Sequence, residues 1–208
     1  MDFLKINDRQ FIELYPRTAD SQPLGMMHIC FETDDIEALR NAYLKRGLEP
    51  TAVAKARAGN LLFSLHDPEG QVLEYLQYLP ASLHFEDRGR HLGVRRISQH
   101  LAGAVENVRD VAAALSFYAG RLAFKVQRSA GTSTTRLQVP GNSGEEVELQ
   151  SSSGEAKPRI VFFVPDVARA TGELRRRGFA PHESAGAVRV LDPDGAVIVF
   201  TTEGSDSR

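Results

Sequence analysis

Met27-His28-Ile29-Cys30-Phe31-Glu32 is the stretch from which the fold of this chain can be inferred. Its residues alternate, so a β-strand would place the three apolar ones on one face and the other three, including His28, on the opposite face. A helix can begin directly afterwards, because Asp34 can cap it with Glu37 completing a capping box, and Gly47 suits its end. We therefore predict a strand followed by a helix that covers its apolar face.

Two further strands complete this unit, at residues 60–65 and 71–78, and the turn Asp67-Pro68-Glu69-Gly70 joins them. In the last strand, alternation puts Glu74 on one face among apolar neighbours. A carboxylate in such surroundings is costly unless it is paired or bound to a metal. We expect Glu74 to face the same concavity as His28.

The same order of elements recurs along the chain. Near the C-terminus, residues 159–164 predict a strand, and the turn Asp192-Pro193-Asp194-Gly195 matches the earlier Asp-Pro-Glu-Gly turn. At the N-terminus, a predicted hairpin resembles only the last two strands of the unit, with Glu13 in a place like that of Glu74. The repeats indicate duplicated modules, of which the first is incomplete because its opening strand and helix are missing.

The predicted fold class is therefore α+β, with repeated βαβββ modules whose helices lie outside the sheets. The predicted organisation has an N-terminal half, a linker, a C-terminal half and a disordered tail. These segments are residues 1–80 (partial module 1 at 1–17, module 2 at 26–78), 81–96, 97–204 (module 3 at 97–151, module 4 at 157–203) and 205–208.

Composition limits the function classes. With 208 residues and 42% hydrophobic residues, the chain can form one large or two small domains. Its formal net charge of -2, without a basic stripe, argues against nucleic acid as a partner. Cys30 is the single cysteine, which excludes an intrachain disulfide, and no apolar run approaches the roughly 18 residues of a membrane span. We expect a cytoplasmic protein.

Several of these motifs together resemble the vicinal oxygen chelate superfamily, which includes glyoxalase I, bleomycin-resistance proteins and extradiol dioxygenases. They are the strand-opening His28, the two Asp-Pro-Asp/Glu-Gly turns, Glu74, and the Phe117-Tyr118 pair followed by Leu122-Ala123-Phe124. The resemblance implies that the modules pair into curled mixed sheets that enclose a cavity, where first and last strands hold a divalent metal. The ligands that it implies in this chain are Glu13, His28 and Glu74.

One imidazole and two carboxylates suit Fe, Mn, Ni, Co or Zn and leave positions open for a substrate. The resemblance implies a metal that polarises vicinal oxygens of a small substrate, in isomerase, lyase, thiol-transferase or ring-opening dioxygenase chemistry. A metal-free binding protein of the bleomycin-resistance type is the alternative. It is motivated by Gly103, Arg159 and Val199, which stand in the second half where ligands would be expected. A third interpretation is an inactive relative whose remaining role is association.

The remaining expectations concern exposure and association. Glu13 could instead lie exposed on an edge strand, and His28 could be a structural histidine. We expect Glu148 to mark a solvated face and His84 to be exposed in the linker. The missing opening strand would leave an unpaired sheet edge, which favours a homodimer or exchange of elements with a second chain.

Overall fold

The chain forms an α+β structure of sheets with few, short helices, which confirms the predicted fold class. No helix within the described residues is long and apolar enough to cross a membrane. The predicted disordered tail, 205–208, lies outside the described residues. The computed structural model describes residues 2–19, 25–130, 133–141, 144–152, 159–184 and 186–203.

An antiparallel hairpin of two strands opens the described chain, β1 (Asp2–Lys5) and β2 (Phe11–Leu14). Asn7 shapes its turn, since its side-chain oxygen accepts hydrogen bonds from the backbone N–H groups of Arg9 and Gln10, both at 2.9 Å. The hairpin brings Glu13 opposite Phe3.

A four-stranded sheet follows, and one helix packs on it. In this sheet β3 lies at one edge and runs parallel to β6. The order is β3-β6-β5-β4. The elements are β3 (His28–Glu32), α1 (Ile36–Lys45), β4 (Ala54–Lys55), β5 (Leu61–His66) and β6 (Val72–Gln77).

The cap of α1 differs from the prediction. Asp35, and not Asp34, is the N-cap, and its carboxylate accepts a hydrogen bond from the backbone N–H of Ala38 at 2.9 Å. The helix begins one residue later than the capping box with Glu37 required. Either aspartate can cap a helix, so packing of Ile36 into the core selects the register.

The two Asp-Pro-Asp/Glu-Gly turns fold alike. The Asp67 carboxylate accepts from the backbone N–H groups of Glu69 and Gln71, at 2.9 and 2.8 Å. The Asp192 carboxylate accepts hydrogen bonds from the backbone N–H groups of Asp194 and Ala196, at 2.9 and 2.7 Å. Both turns end in a glycine with positive φ, +87° at Gly70 and +79° at Gly195, where side chains are disfavoured. The matching sequences therefore reflect matching structure.

An eight-stranded mixed sheet makes up the rest of the described chain. Its order is β12-β13-β14-β11-β7-β10-β9-β8, and its two halves join where β11 and β7 pair antiparallel. A π-helix, Ser116–Arg121, continues α3. The elements are α2 (Leu83–Glu86), β7 (His100–Val108), α3 (Val111–Leu115), β8 (Lys125–Ala130), β9 (Thr134–Gln138), β10 (Glu146–Ser151), β11 (Arg159–Phe163), α4 (Val167–Arg176), β12 (His182–Ser184), β13 (Ala187–Leu191) and β14 (Val197–Thr201).

One apolar core joins the two sheets. Phe31 and Tyr75 of the four-stranded sheet belong to the same buried cluster as Leu149 of the eight-stranded sheet and Phe124, which immediately precedes β8. The rings of Phe31 and Phe124 lie edge to face, with centroids 5.3 Å apart. Because Phe31 points into this core, the alternation of β3 turns His28, Cys30 and Glu32 away from it.

Candidate metal site

His28 and Glu74 lie on the same face of the four-stranded sheet. Parallel pairing of β3 with β6 sets His28 opposite Val72 and Cys30 opposite Glu74, so all four side chains point away from the core. The Nε2 atom of His28 is 3.8 Å from Oε2 of Glu74. Local alternation and strand register are therefore enough to bring these two groups together.

Glu13 reaches the same place from the hairpin. Its Oε2 atom is 3.6 Å from Nε2 of His28. Arg9 holds the hairpin against β3 through two contacts of its guanidinium with the Glu32 carboxylate, both 2.9 Å. The structure thus brings together all three residues named from the sequence, and the side chains of Glu13, His28 and Glu74 remain 31%, 16% and 25% exposed.

Tyr15 supports Glu13 through a hydrogen bond. Its hydroxyl donates to Oε2 of Glu13 at 2.8 Å, and its ring lies edge-on to the His28 ring with centroids 6.2 Å apart. Burial, and then the Glu13 carboxylate, raise the pKa of Tyr15 to about 12. The phenol therefore keeps its proton and remains a donor to Glu13. The available signal was the two-residue spacing from Glu13, although Tyr15 lies just beyond the end of β2.

The electrostatics of the site are those of two carboxylates around one imidazole. The hydrogen bond with Glu13 raises the pKa of His28. Burial of the imidazole lowers this pKa, and the negative charge of Glu74 raises it further. The same contact with His28 lowers the pKa of Glu13. With both carboxylates ionised, the cluster has an excess of negative charge even when His28 is protonated, which favours a cation.

Cys30 lies between these groups on the same face and is exposed to solvent. The negative charges of the Glu74 and Glu13 carboxylates beside it disfavour the thiolate form. A thiol that keeps its proton is a poor metal ligand and nucleophile. Cys30 therefore lines the site as a small, neutral group.

The donor set fits a divalent cation in type, and its spacing needs adjustment. No group of three or more His, Cys, Asp or Glu side chains among the described residues holds a metal-binding arrangement as it stands. The 3.6 and 3.8 Å separations exceed the roughly 3.0–3.4 Å between neighbouring ligands of an ion bound at about 2.1 Å. Rotamer changes of the two partly exposed glutamates can close so small a difference.

The eight-stranded sheet has no comparable set at the matching positions. Val199 lies on β14, and Gly103 lies on β7 against β10, where a Cβ would come within 1.8 Å of the Glu146 carbonyl oxygen. Glu148 was expected on a solvated face and is buried instead, where Arg136 pairs with its carboxylate at 2.9 Å. A cavity of about 320 Å³ lies on this sheet, apart from His28.

His84 corrects another expectation. It was predicted to be exposed in the linker and is 8% exposed, on the short helix α2. Its ring contacts those of Phe3 and Phe11, with centroids 4.5 and 4.3 Å away. The linker is thus a docking surface for the hairpin that carries Glu13.

The architecture described above confirms, at the level of fold alone, the resemblance inferred from the sequence. Solved structures of glyoxalases and extradiol dioxygenases share it. The sequence itself matches no protein-family model, and no curated protein matches it.

Three solved structures illustrate the likeness. The Mn(II)-bound glyoxalase from Novosphingobium aromaticivorans is 18% identical, with a TM-score of 0.64 over 86% of this chain and 63% of that chain. The 2,3-dioxygenase from a Pseudomonas species is 12% identical, with a TM-score of 0.67 over 87% and 73%. The 2,2',3-trihydroxybiphenyl 1,2-dioxygenase from Sphingomonas wittichii is 19% identical, with a TM-score of 0.62 over 87% and 71%. This chain thus spans less than two thirds of the glyoxalase.

Proposed function

We propose that this protein is a divalent-metal-dependent enzyme that acts on a small substrate with vicinal oxygens, by isomerase, lyase or ring-opening dioxygenase chemistry. The observation that carries the proposal is the position of His28 Nε2, within 3.6 Å of Glu13 and 3.8 Å of Glu74 on an accessible sheet face. The Mn(II)-bound state of a glyoxalase with this fold adds support. Fe, Mn, Ni, Co and Zn all accept this donor set.

The residues around the proposed metal site would have different roles. Glu13, His28 and Glu74 would hold the ion, and Tyr15 fixes the Glu13 carboxylate through its hydrogen bond. When bound, the ion would polarise the substrate oxygens as a Lewis acid. Cys30, which is exposed on the same face, provides a surface without charge beside the substrate.

Metal content is the decisive measurement. We expect elemental mass spectrometry of untagged protein, purified without chelators, to find near-stoichiometric metal in the wild type and little in His28→Ala and Glu74→Ala. His91→Ala is the matched control, because that histidine is 77% exposed and contacts Asp87 instead. Equal metal in all four proteins, or none after adding Fe(II), Mn, Ni or Zn, contradicts the proposal.

A metal-free binding protein of the bleomycin-resistance type is the second candidate. It is favoured by the ability of His28 and Glu13 to satisfy each other as an ion pair without a metal. In that case, a small ligand would bind the wild type equally with and without EDTA.

We also propose that the protein works as a homodimer. Within the described residues β3 pairs only with β6, which leaves the other edge of β3, the strand that carries His28, open to a second chain. One chain has a mass of 22.9 kDa, and sedimentation equilibrium is expected to give twice this mass. A monomer at micromolar concentration contradicts this proposal and leaves the metal proposal intact.

A further inference from the structure

The side chain of Gln10 joins the hairpin that carries Glu13 to the eight-stranded sheet. Its Oε1 atom accepts hydrogen bonds from the Leu101 backbone N–H at 2.8 Å and from Nδ2 of Asn7 at 2.7 Å. Its Nε2 atom donates to the Leu101 carbonyl at 2.9 Å and to Oε1 of Glu145 at 3.0 Å. An amide has two donor hydrogens and two acceptor lone pairs, so these four bonds fill its capacity and fix its orientation.

The Gln10 amide pairs with β7 as a neighbouring strand would. Leu101 lies two positions before Gly103, where β7 begins to pair with β10. Gln10 bonds both the N–H and the carbonyl of Leu101, the two groups that a strand partner would use. Backbone groups shielded from water are costly to leave unpaired, so these bonds tie the position of Gln10 to the C-terminal half.

Glu13 lies three residues after Gln10 on the same hairpin. Strands β1 and β2 pair from Asp2–Leu14 to Lys5–Phe11, and the backbone N–H of Ile6 donates to the Gln10 carbonyl at 2.9 Å. Because this ladder reaches the turn, the hairpin moves as one body. A shift at Gln10 therefore displaces Glu13 from His28.

The residue before Gln10 contacts the other sheet. Arg9 pairs with Glu32 of β3, and its backbone carbonyl accepts a hydrogen bond from the Tyr78 hydroxyl at 3.0 Å. The Arg9 side chain is 63% exposed, and exposed ion pairs contribute little to stability. The Gln10 amide is partly buried and fully bonded, so it is the stronger of the two side-chain anchors.

We propose that Gln10 is a positioning residue through which the C-terminal half holds the ligand Glu13 in place. The inference rests on the proposed metal function. Within the described chain, none of the hydrogen bonds of the Gln10 side chain goes to His28 or Glu74, so Gln10 acts through Glu13. The C-terminal half supplies none of the proposed ligands and nevertheless sets the geometry of the site.

The Tyr15 and His28 rings report the position of the hairpin without a metal. Their centroids lie 6.2 Å apart, edge to face, which brings ring protons close enough for a nuclear Overhauser cross-peak. In full-length protein in EDTA we expect this cross-peak in the wild type and its loss in Gln10→Ala. Gln127→Ala is the matched control, because it removes a glutamine that bonds Gln138 at the edge of the sheet and should keep the cross-peak.

Gln10→Glu tests the same contacts at constant side-chain size. A carboxylate cannot donate to the Leu101 carbonyl and repels the Glu145 carboxylate, so we expect this variant to lose the cross-peak as well. Protection of β5 and β10 amides from hydrogen exchange, measured on the same samples, shows that the core stays folded. Gln10→Glu provides the answer if the alanine variant fails to fold.

A double-mutant cycle with Co(II) tests whether Gln10 acts through Glu13. We expect Gln10→Ala to weaken Co(II) binding at least tenfold in the wild-type background and to have no further effect in Glu13→Ala. A general loss of stability would weaken binding in both backgrounds.

The two measurements separate the role of Gln10 from the proposed function. A wild type that binds no Co(II) contradicts the metal function, and the ring cross-peak then decides whether Gln10 positions Glu13. The positioning proposal is wrong if the wild type lacks the cross-peak, if both folded Gln10 variants keep it, or if Gln10→Ala weakens Co(II) binding equally in the two backgrounds.

Discussion

The Tyr15 hydroxyl is the group outside the proposed ligands that most directly sets the position of Glu13. We expect Tyr15→Phe to lower the metal affinity roughly tenfold, because partners that orient ligands typically contribute 10–100-fold. The dissociation constant can be measured by competition with a chromophoric chelator. Tyr78→Phe is the matched control, since its hydroxyl donates to the Arg9 backbone carbonyl and not to Glu13. Equal losses in both variants would refute an orienting role for Tyr15.

Glu106 should make stability depend on pH. Burial, with a smaller effect of Asp67, raises its pKa to about 7, and one of its carboxylate oxygens has no hydrogen-bond partner among the described residues. The folded state then binds the proton more tightly than the unfolded state. The resulting stability is present below the ordinary pKa of 4.5 and is lost as the pH rises through about 7.

Neutralising this residue should remove that dependence. Between pH 5 and pH 8 we expect the free energy of unfolding contributed by Glu106 to fall by about 2 kcal/mol, and Glu106→Gln to be the more stable protein at pH 8. Urea unfolding at the two pH values measures both. A wild-type protein and a Glu106→Gln variant with parallel pH profiles would show that Glu106 is ionised when folded.

Sequence reasoning found the residues whose chemistry follows from alternation on one strand. His28 and Glu74 share a face because each lies at a fixed position in an alternating segment. The parallel pairing of β3 with β6 then brings the two side chains close together. Tyr15 and Glu106 were not predicted as polar partners. Their roles depend on which side chain a separate element brings within hydrogen-bond distance, and no periodicity encodes that.

Strand β7 requires a glycine at one position. Gly103 has φ +153°, and an added Cβ would come within 1.8 Å of the Glu146 carbonyl oxygen of β10. We expect Gly103→Ala to lower the free energy of unfolding by at least about 2 kcal/mol, since the neighbouring backbone must move. Gly172→Ala is the control, because nothing lies within 4 Å of its Cβ in helix α4 and alanine should be neutral or stabilising there. Urea unfolding that ranks the two variants equally would contradict this account.

The elements themselves were predicted better than their ends. The Asp-Pro-Asp/Glu-Gly turns carry their own hydrogen-bond acceptors, so their structure could be read from four residues. The predicted N-cap of α1 was one residue too early, because the two adjacent aspartates, Asp34 and Asp35, can both accept the capping hydrogen bond. Helix α2 has only four residues, and its place is determined by the hairpin rings that contact His84.

The two sheets share one core, so we expect them to unfold together. Phe124, only 3% exposed, lies between Phe31 of the four-stranded sheet and Tyr118 of the π-helix that packs on the eight-stranded sheet, with ring centroids 5.3 and 5.5 Å away. Phe124→Ala should lower the free energy of unfolding by about 3–5 kcal/mol. Hydrogen exchange should detect the loss equally in β5 and β10. Val126→Ala, two residues away and 46% exposed, should have little effect. Loss of protection confined to β10 would mean that the sheets unfold separately.

The way the halves meet could not be predicted from sequence. Both Phe31 and Leu149 are evident core residues, because each follows the alternation of its strand. Alternation says that a face is buried and does not say what buries it. The shared cluster depends on the fit of side chains separated by more than ninety positions, such as Phe31 and Phe124.

The hairpin that carries Glu13 is attached to both halves at once. The Gln10 side-chain amide accepts a hydrogen bond from the Leu101 backbone N–H at 2.8 Å and donates one to the Leu101 carbonyl at 2.9 Å. Arg9 forms an ion pair with Glu32 of β3. Ile6 and Ile12 pack against the core beneath α4. A gene fragment that ends near residue 80 would encode every proposed metal ligand and still lack the surface on which one of them depends. For anyone recombining such repeats into new proteins, the smallest unit to transplant is the whole chain.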